Sequence, residues 1–292
     1  MPISITPAWT CPICHAPLKL HHRSFRCTAN HRFDQAREGY VNLLPSHHRN
    51  SAQPGDDRAM ITNRRAFLEQ GHYRPLAERL GDLCREHAAG RDHWHLLDSG
   101  CGEGYYSGLI AHLLEAENPL LQLQVSGVDI SKEAVRLAAR RHRAIHFAVA
   151  SNASLPLADA GVDCLLQVFA PGYESEITRL LRPGGLYLRV SSGSHHLYRL
   201  REMVYDRPRL HDPLPAEVAG LRYLQHQELR FELHLTQPGD AGRLLAMTPY
   251  YWQASRQKQE RIADLEHLRT EAHSRIDCFG ADPYQFSASS SK

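Results

Sequence analysis

Residues 93–117 read HWHLLDSGCGEGYYSGLIAHLLEAE. The stretch opens as a short apolar run ending at Asp98, the pattern of a buried strand. Gly100, Gly102 and Gly104 follow at once, and without Cβ atoms they let the backbone turn sharply and approach a ligand closely. Leu109, Ile110, Leu113 and Leu114 then recur at helical spacing. Strand, glycine turn and helix in this order predict a nucleotide-type site at the carboxyl end of the first strand of a doubly wound sheet. A dinucleotide fingerprint would space its glycines G-x-G-x-x-G, whereas here they run G-x-G-x-G with an acid before them. No lysine is present to complete a phosphate-binding P-loop.

The segments that follow extend the pattern. LQVSGVDIS at 123–131 is a second strand whose end carries Asp129, placed to accept hydrogen bonds from the two ribose hydroxyls of an adenosine. The helix KEAVRLAARRH comes next. IHFAVASNASLPL gives a third strand and a polar turn with Asn152, GVDCLLQVFAP a fourth strand, and LLRPGGLYLRV a turn and a fifth. Strands alternating with helices predict a parallel α/β sheet.

The chain begins differently. CPICHAPLKLHHRSFRCTANH at 11–31 holds Cys11, Cys14, Cys27 and His31 in the pattern C-x2-C-x12-C-x3-H. A two-residue knuckle turns the first two sulfurs inward, and the second pair completes a tetrahedron. Three thiolates and an imidazole suit Zn2+, and four protein ligands leave no position for water, so a structural site is predicted. A segment this short draws its folding free energy from the metal. Phe25, Phe33 and Tyr40 are expected to pack over it, and GYVNLLP to form a short strand.

At 292 residues the chain can bury a large core and a smaller unit beside it. No apolar run reaches the ~18 residues that a membrane span needs, and the N-terminus lacks the features of a signal peptide, so a cytoplasmic protein without membrane partners is expected. Seven cysteines, an odd number, point to metal ligands and free thiols rather than to a disulfide framework. A net charge of +2 does not by itself announce nucleic acid. Basic clusters at 46–50, 63–65 and 136–143 read individually as solvated surface.

The D-x-G-x-G-x-G turn, the strand ending in Asp129 and the LRPGG turn together resemble a class I S-adenosylmethionine-dependent methyltransferase, a Rossmann-like doubly wound fold. CPIC, CTANHRFDQAREGYVNLLP, PGD at 54–56, RRAFLEQGHYRPL, LDSGCGEGYY, GVDISKEAV, FAP and MTPYYW resemble more specifically the RlmA family of 23S rRNA guanine-N1 methyltransferases and their macrolide-resistance relatives. The resemblance implies zinc on Cys11, Cys14, Cys27 and His31. It implies S-adenosylmethionine on the Gly100–Gly104 turn, above all Gly102 and Glu103, and on Tyr73 and His196. Asp98, Asp129 and Asn152 join this set from the physics of the fold. The substrate implied is a hairpin in domain II of 23S rRNA, with the chain resembling the Gram-negative-type enzymes more than the resistance enzymes that modify a neighbouring guanine. Homodimers are implied as well.

The organisation expected is a zinc-binding RNA-recognition domain at 1–45, a linker at 46–72, a methyltransferase domain at 73–284 and a disordered tail at 285–292. Arg23, Arg26 and Arg32 are placed to meet phosphates, and Tyr105, Tyr106, Phe169 and Tyr173 to stack on a base. No catalytic residue is assigned. Asp34, Glu38, His195 and His196 are the candidates for a general base, and VFAPGYES lacks the carboxylate or amide that amine methyltransferases often carry before the proline. YDRPRLHDPLPAEVAG reads as a loop over the cofactor. A small-molecule methyltransferase and a non-catalytic RNA-binding sensor of the cofactor are the alternatives.

Overall fold

The structure is a computed structural model that describes residues 9–45 and 58–283. The basic cluster at 46–50, PGD at 54–56 and the expected tail lie outside the described residues.

The segment with the four metal ligands, a small β-ribbon, comes first. β1 (Lys19–His21), β2 (Ser24–Arg26) and β3 (Arg32–Asp34) form a three-stranded antiparallel sheet, and β4 (Val41–Asn42) follows. The remainder alternates as the sequence predicts. Helices α1 (Arg58–Leu68) and α2 (Arg74–Ala88) lead into β5 (His93–Ser99), α3 (Tyr105–Glu117), β6 (Gln122–Asp129), α4 (Lys132–Arg141) and β7 (His146–Val149). Then come β8 (Val162–Val168), α5 (Glu174–Leu180), β9 (Leu181–Ser192) and α6 (Tyr198–Val204). β10 (Leu221–Leu235), α7 (Asp240–Ala246), a 3-10 turn at Pro249–Gln253, α8 (Arg256–Ala263) and β11 (Leu268–Ala281) close the order.

Eight described strands make the large sheet, in the order β10-β11-β9-β8-β5-β6-β7-β4. The β4–β7, β7–β6, β6–β5, β5–β8 and β8–β9 pairs are parallel. β11 runs antiparallel to both of its neighbours. A doubly wound sheet with one reversed strand is the class I methyltransferase arrangement that the sequence resembles. From β5 the chain winds outward through β6 and β7, then returns to build β8 and β9 on the other side. The crevice outside the carboxyl ends of β5 and β8 is therefore the topological switch point, where ligands bind in such sheets.

Side chains alternate across this sheet with period 2. Leu96, Cys164, Leu166, Phe147 and Val149 join the apolar cluster under α2, α3 and α4. Leu97, Leu165 and Ala148 point to the opposite face, with Ile177 and Leu180 of α5. The ribbon joins that second face. Trp9, Cys11, Leu18, Phe25 and Cys27 share one buried cluster with Val128, Ala148, Leu155 and Leu157. Thr10 donates its N–H to the Pro156 carbonyl at 2.8 Å, and Trp9 bridges Leu157. The short strand expected in GYVNLLP extends the large sheet rather than the ribbon, because Val41 and Asn42 pair with Ala148 and Val149. Tyr40 departs from expectation. It joins the cluster beneath the helices, while Phe25 and Phe33 stay with the metal ligands.

Candidate functional site

A cavity of about 920 Å³ opens at the switch point. Its floor is the glycine turn after β5. Gly100 and Cys101 both donate their N–H groups to the Val128 carbonyl, at 2.8 and 3.0 Å, so the turn is pinned to β6. Gly100 has φ +85°, and a Cβ there would lie 2.4 Å from the Ala170 Cβ. The turn can therefore pass the end of β8 only with glycine at this position.

Asp129 closes one side. Its carboxylate accepts from Gly102 N–H at 2.9 Å and from Ser131 N–H at 2.8 Å, one on each oxygen. Each carboxylate oxygen has capacity for a further donor, which is what a ribose hydroxyl requires. Ser131 then caps α4, its hydroxyl accepting from Ala134 N–H. Asn152 lies across the floor and donates to the Pro171 carbonyl at 3.1 Å.

Glu103 gives the sharpest chemical clue. Its residue is only 3% exposed, it lines the cavity, and Oε1 has no hydrogen-bond partner among the described residues. Burial pushes its carboxyl up from the ordinary range, opposed by its own backbone N–H and by Arg64. Arg64, from α1, lines the same wall. A buried carboxylate in want of a donor, with a guanidinium beside it, matches the ammonium and carboxylate of an α-amino acid. Together with the glycine cradle and Asp129, these residues fit S-adenosylmethionine: an amino-acid end at Glu103 and Arg64, a ribose at Asp129.

The opposite wall comes from distant parts of the chain. His196 donates Nδ1–H to the His273 carbonyl at 2.9 Å, which leaves Nε2 as an acceptor. Burial, only partly opposed by that bond, lowers its pKa to about 4, so the ring is neutral. Its ring lies 5.3 Å from that of Phe169 and 6.4 Å from that of Tyr73. Phe169 holds a left-handed backbone, φ +51°, at the end of β8. Such strain persists where the surroundings impose it, commonly at functional sites. Phe169 and Tyr173 are 43% and 48% exposed although both line the cavity, so they present aromatic faces at its mouth.

The metal cluster lies on the ribbon. The ligand atoms of Cys11, Cys14, Cys27 and His31 all lie within 4.8 Å of one another. Cys11 Sγ and Cys27 Sγ are each 3.4 Å from His31 Nδ1, and Cys14 Sγ is 3.6 Å from Cys27 Sγ. A zinc tetrahedron with bonds of ~2.0–2.3 Å has edges of about this length. The four residues therefore fit a closed structural zinc site.

Comparison with known proteins finds a match for each part of the chain. A family model described as RlmA, N-terminal matches residues 9–52, and one described as a methyltransferase domain matches residues 91–247. The 23S rRNA (guanine(748)-N(1))-methyltransferase of Streptomyces fradiae is 37% identical over 261 residues, covering 87% of this chain and 90% of that protein. The chain belongs to the RlmA family of methyltransferases. A putative 23S rRNA (guanine-N(1)-)-methyltransferase of Bacillus subtilis, YxjB, is 29% identical over 269 residues, covering 89% of this chain and 91% of its own. The RlmA-family chain is thus an S-adenosylmethionine-dependent methyltransferase with a zinc ribbon.

Seven of the nine cofactor residues named from sequence line the cavity of this RlmA-family chain: Tyr73, Gly100, Gly102, Glu103, Asp129, Asn152 and His196. Asp98 and Gly104 stand behind the wall. Asp98 is buried and accepts from the Ser107 hydroxyl at 2.5 Å. A Cβ on Gly104 would meet Ala138, His142 and Phe147 at 3.1–3.2 Å, so this glycine lets α3 pack. Of the four base candidates only His196 lines the cavity; Asp34, Glu38 and His195 do not. Arg23 and Arg32 are exposed on the ribbon, whereas Arg26 is half-buried. Arg64 escaped the sequence reading because α1 falls in the stretch read as linker. His211, Asp212, Leu214 and Val218 bring the Pro-rich segment to the cavity wall, as do Met247 to Tyr250 from the MTPYYW stretch.

Proposed function

We propose that this RlmA-family enzyme methylates N1 of a guanine in a domain II hairpin of 23S rRNA, in the cytoplasm, as a homodimer. The observation that carries the reading is the joining of two features in one molecule: a closed Cys3His ribbon fused to the sheet, and a cofactor cavity whose mouth is rimmed by the exposed rings of Phe169 and Tyr173. A small acceptor would leave the ribbon without a clear task. A base inside an RNA hairpin must be lifted from its stack at a cost of a few kcal/mol, and aromatic faces at the pocket offset that cost.

S-adenosylmethionine, when bound, supplies a methyl group already activated on a sulfonium. The residues of this chain then have two tasks. Glu103, Arg64, Asp129 and the glycine turn hold the donor, and Phe169 with Tyr173 stacks and orients the acceptor base. Such positioning supplies much of the rate in a transfer of this kind. The ribbon, with Arg23 and Arg32 exposed, meets RNA backbone and shape rather than sequence. The position assigned from sequence is the Gram-negative-type guanine, with its neighbour, the position in the name of the S. fradiae relative, as the alternative.

The test is methyl transfer from labelled S-adenosylmethionine to unmodified 23S rRNA, followed by nucleoside analysis of the product. The expected result is label in 1-methylguanosine, lost at least tenfold in Phe169→Ala and Tyr173→Ala together. Label appearing only in small acceptors would sink the rRNA reading.

A further inference from the structure

Arg201 is the anomaly left over by the site. It sits on α6, only 5% exposed, and its Nε and Nη1 are buried without a hydrogen-bond partner among the described residues. No described carboxylate forms an ion pair with it. A buried cation left this way is costly, and each such group in a native fold calls for an explanation. Its contacts indicate where the charge is felt. The guanidinium carbon lies 5.9 Å from the ring centroid of Tyr250 and 5.9 Å from that of Tyr198. Tyr250 lines the cavity, and its hydroxyl is 2.9 Å from His211 Nε2, another cavity residue.

The charged and titratable groups around this corner can be named. Arg201 and Asp212 act on His211; His211, His273 and Arg201 act on His196; Arg201 and Tyr205 act on Tyr250. Arg201 is the permanent cation among them. The cavity wall made by His196, His211 and Tyr250 therefore lies in a positive field from behind.

We propose that Arg201 is a positioning residue for catalysis, acting through Tyr250 and His211 to favour the anionic form of the acceptor base. The inference rests on the guanine reading above. Guanine N1 carries a proton and has no free pair in the ring plane until that proton leaves. The N1–H bond breaks, the proton passes to water, and the electron pair stays on the base, shared between N1 and O6. A fixed positive charge in a water-poor wall stabilises that anion. A fixed charge acting through an effective dielectric near 20 is worth on the order of tenfold at separations of roughly 12 Å. This gives a physical role to α6 and accounts for a site that works without an acid or amide before Pro171.

The experiment compares Arg201→Met with Arg201→Lys in the full zinc-loaded protein. Histidine side-chain NMR follows His196 and His211 with no substrate present. The expected result is that both titrate at higher pH in R201M and return toward the wild-type value in R201K. On rRNA, R201M is expected to lower kcat about tenfold, to move the rising limb of the pH–rate profile to higher pH, and to leave the Kd for S-adenosylmethionine unchanged, with R201K restoring most of the rate. Histidines that do not move would overturn the proposal even with an active wild type. So would a tenfold weaker Kd at unchanged kcat, which would make Arg201 a cofactor anchor. A wild type inactive on rRNA but carrying shifted histidines would instead remove the guanine reading, and with it the anion that this charge serves.

Discussion

Asp98 stands behind the wall of a cavity that it does not line. It was legible in the sequence as the acid before the glycines, yet it holds the Ser107 hydroxyl behind the cavity wall. Burial raises its pKa to about 7, opposed by the bonds from Ser107 and reinforced by Asp129 and Glu103. The sign of the consequence follows from linkage. Between about 4 and about 7 the unfolded chain has lost this proton and the folded one still holds it, so stability falls as pH rises through that window and levels above it. The Tm of the cofactor-free protein should therefore decline over that range, and Asp98→Asn, which keeps a partner for Ser107, should flatten the decline. An identical decline in the variant would assign the effect to other groups. Gly100 gives a second prediction. Gly100→Ala forces a Cβ against Ala170, and cofactor affinity measured calorimetrically should fall tenfold or more, as expected for an overpacked contact. Ala170→Gly in the same chain should recover part of the loss; no recovery would place the damage in the backbone strain alone. The metal ligands were equally legible, because four soft ligands at finger spacing have few other uses. Arg64 and Arg201 were not, since nothing in a local pattern tells a solvated arginine from one turned inward.

At the scale of elements, the legible parts were those with a period. β5 to β9 and their helices follow from short apolar runs and helical spacing. The pairing of β10 with β11 was not legible. β10 is an edge strand whose first half is exposed along both faces. The alternation L-R-F-E-L-H-L at 229–235 was a usable strand signal that the sequence reading passed over, but it does not name a partner, and β10 pairs across a gap of intervening helices. The Pro-rich segment was read as a loop over the cofactor, and His211, Asp212, Leu214 and Val218 do line the cavity. Which of its side chains face inward, and that residues 247–250 join them, depends on where the chain returns, which local sequence does not encode. The ribbon was legible as a metal site, but its attachment was not. Trp9, only 2% exposed, packs into the same cluster as Val128 and Leu157 of the large domain. Removing zinc should therefore destabilise more than the ribbon. Chelation, or Cys14→Ser, is expected to lower the Tm of one common transition and to weaken cofactor binding with it. Trp9→Ala should cost about 3–5 kcal/mol in denaturant unfolding. Two separate transitions, with the cofactor site intact in the second, would show the ribbon to be an independent unit.

The whole molecule joins a metal-held ribbon to one face of a doubly wound sheet and opens its cavity at the switch point of that sheet. Among the described residues, no helix is long and apolar enough to cross a membrane. The parallel α/β core and a nucleotide-type site were readable from the order and spacing of strands and glycines, and the cofactor class from the resemblance to class I methyltransferases. What the molecule acts on is not encoded in that order and spacing, because a recognition surface is assembled from residues distant in the chain. The most direct measurement of the central claim, methylation of rRNA, is primer extension on 23S rRNA, unmodified at the start and incubated with the zinc-loaded protein and S-adenosylmethionine. Methylation at N1 blocks base pairing, so a single new stop one nucleotide before a guanine of the domain II hairpin is the result expected, and its position also separates the two neighbouring guanines. Full-length extension through that hairpin, from a protein shown to bind the cofactor, would contradict the assignment of 23S rRNA as substrate.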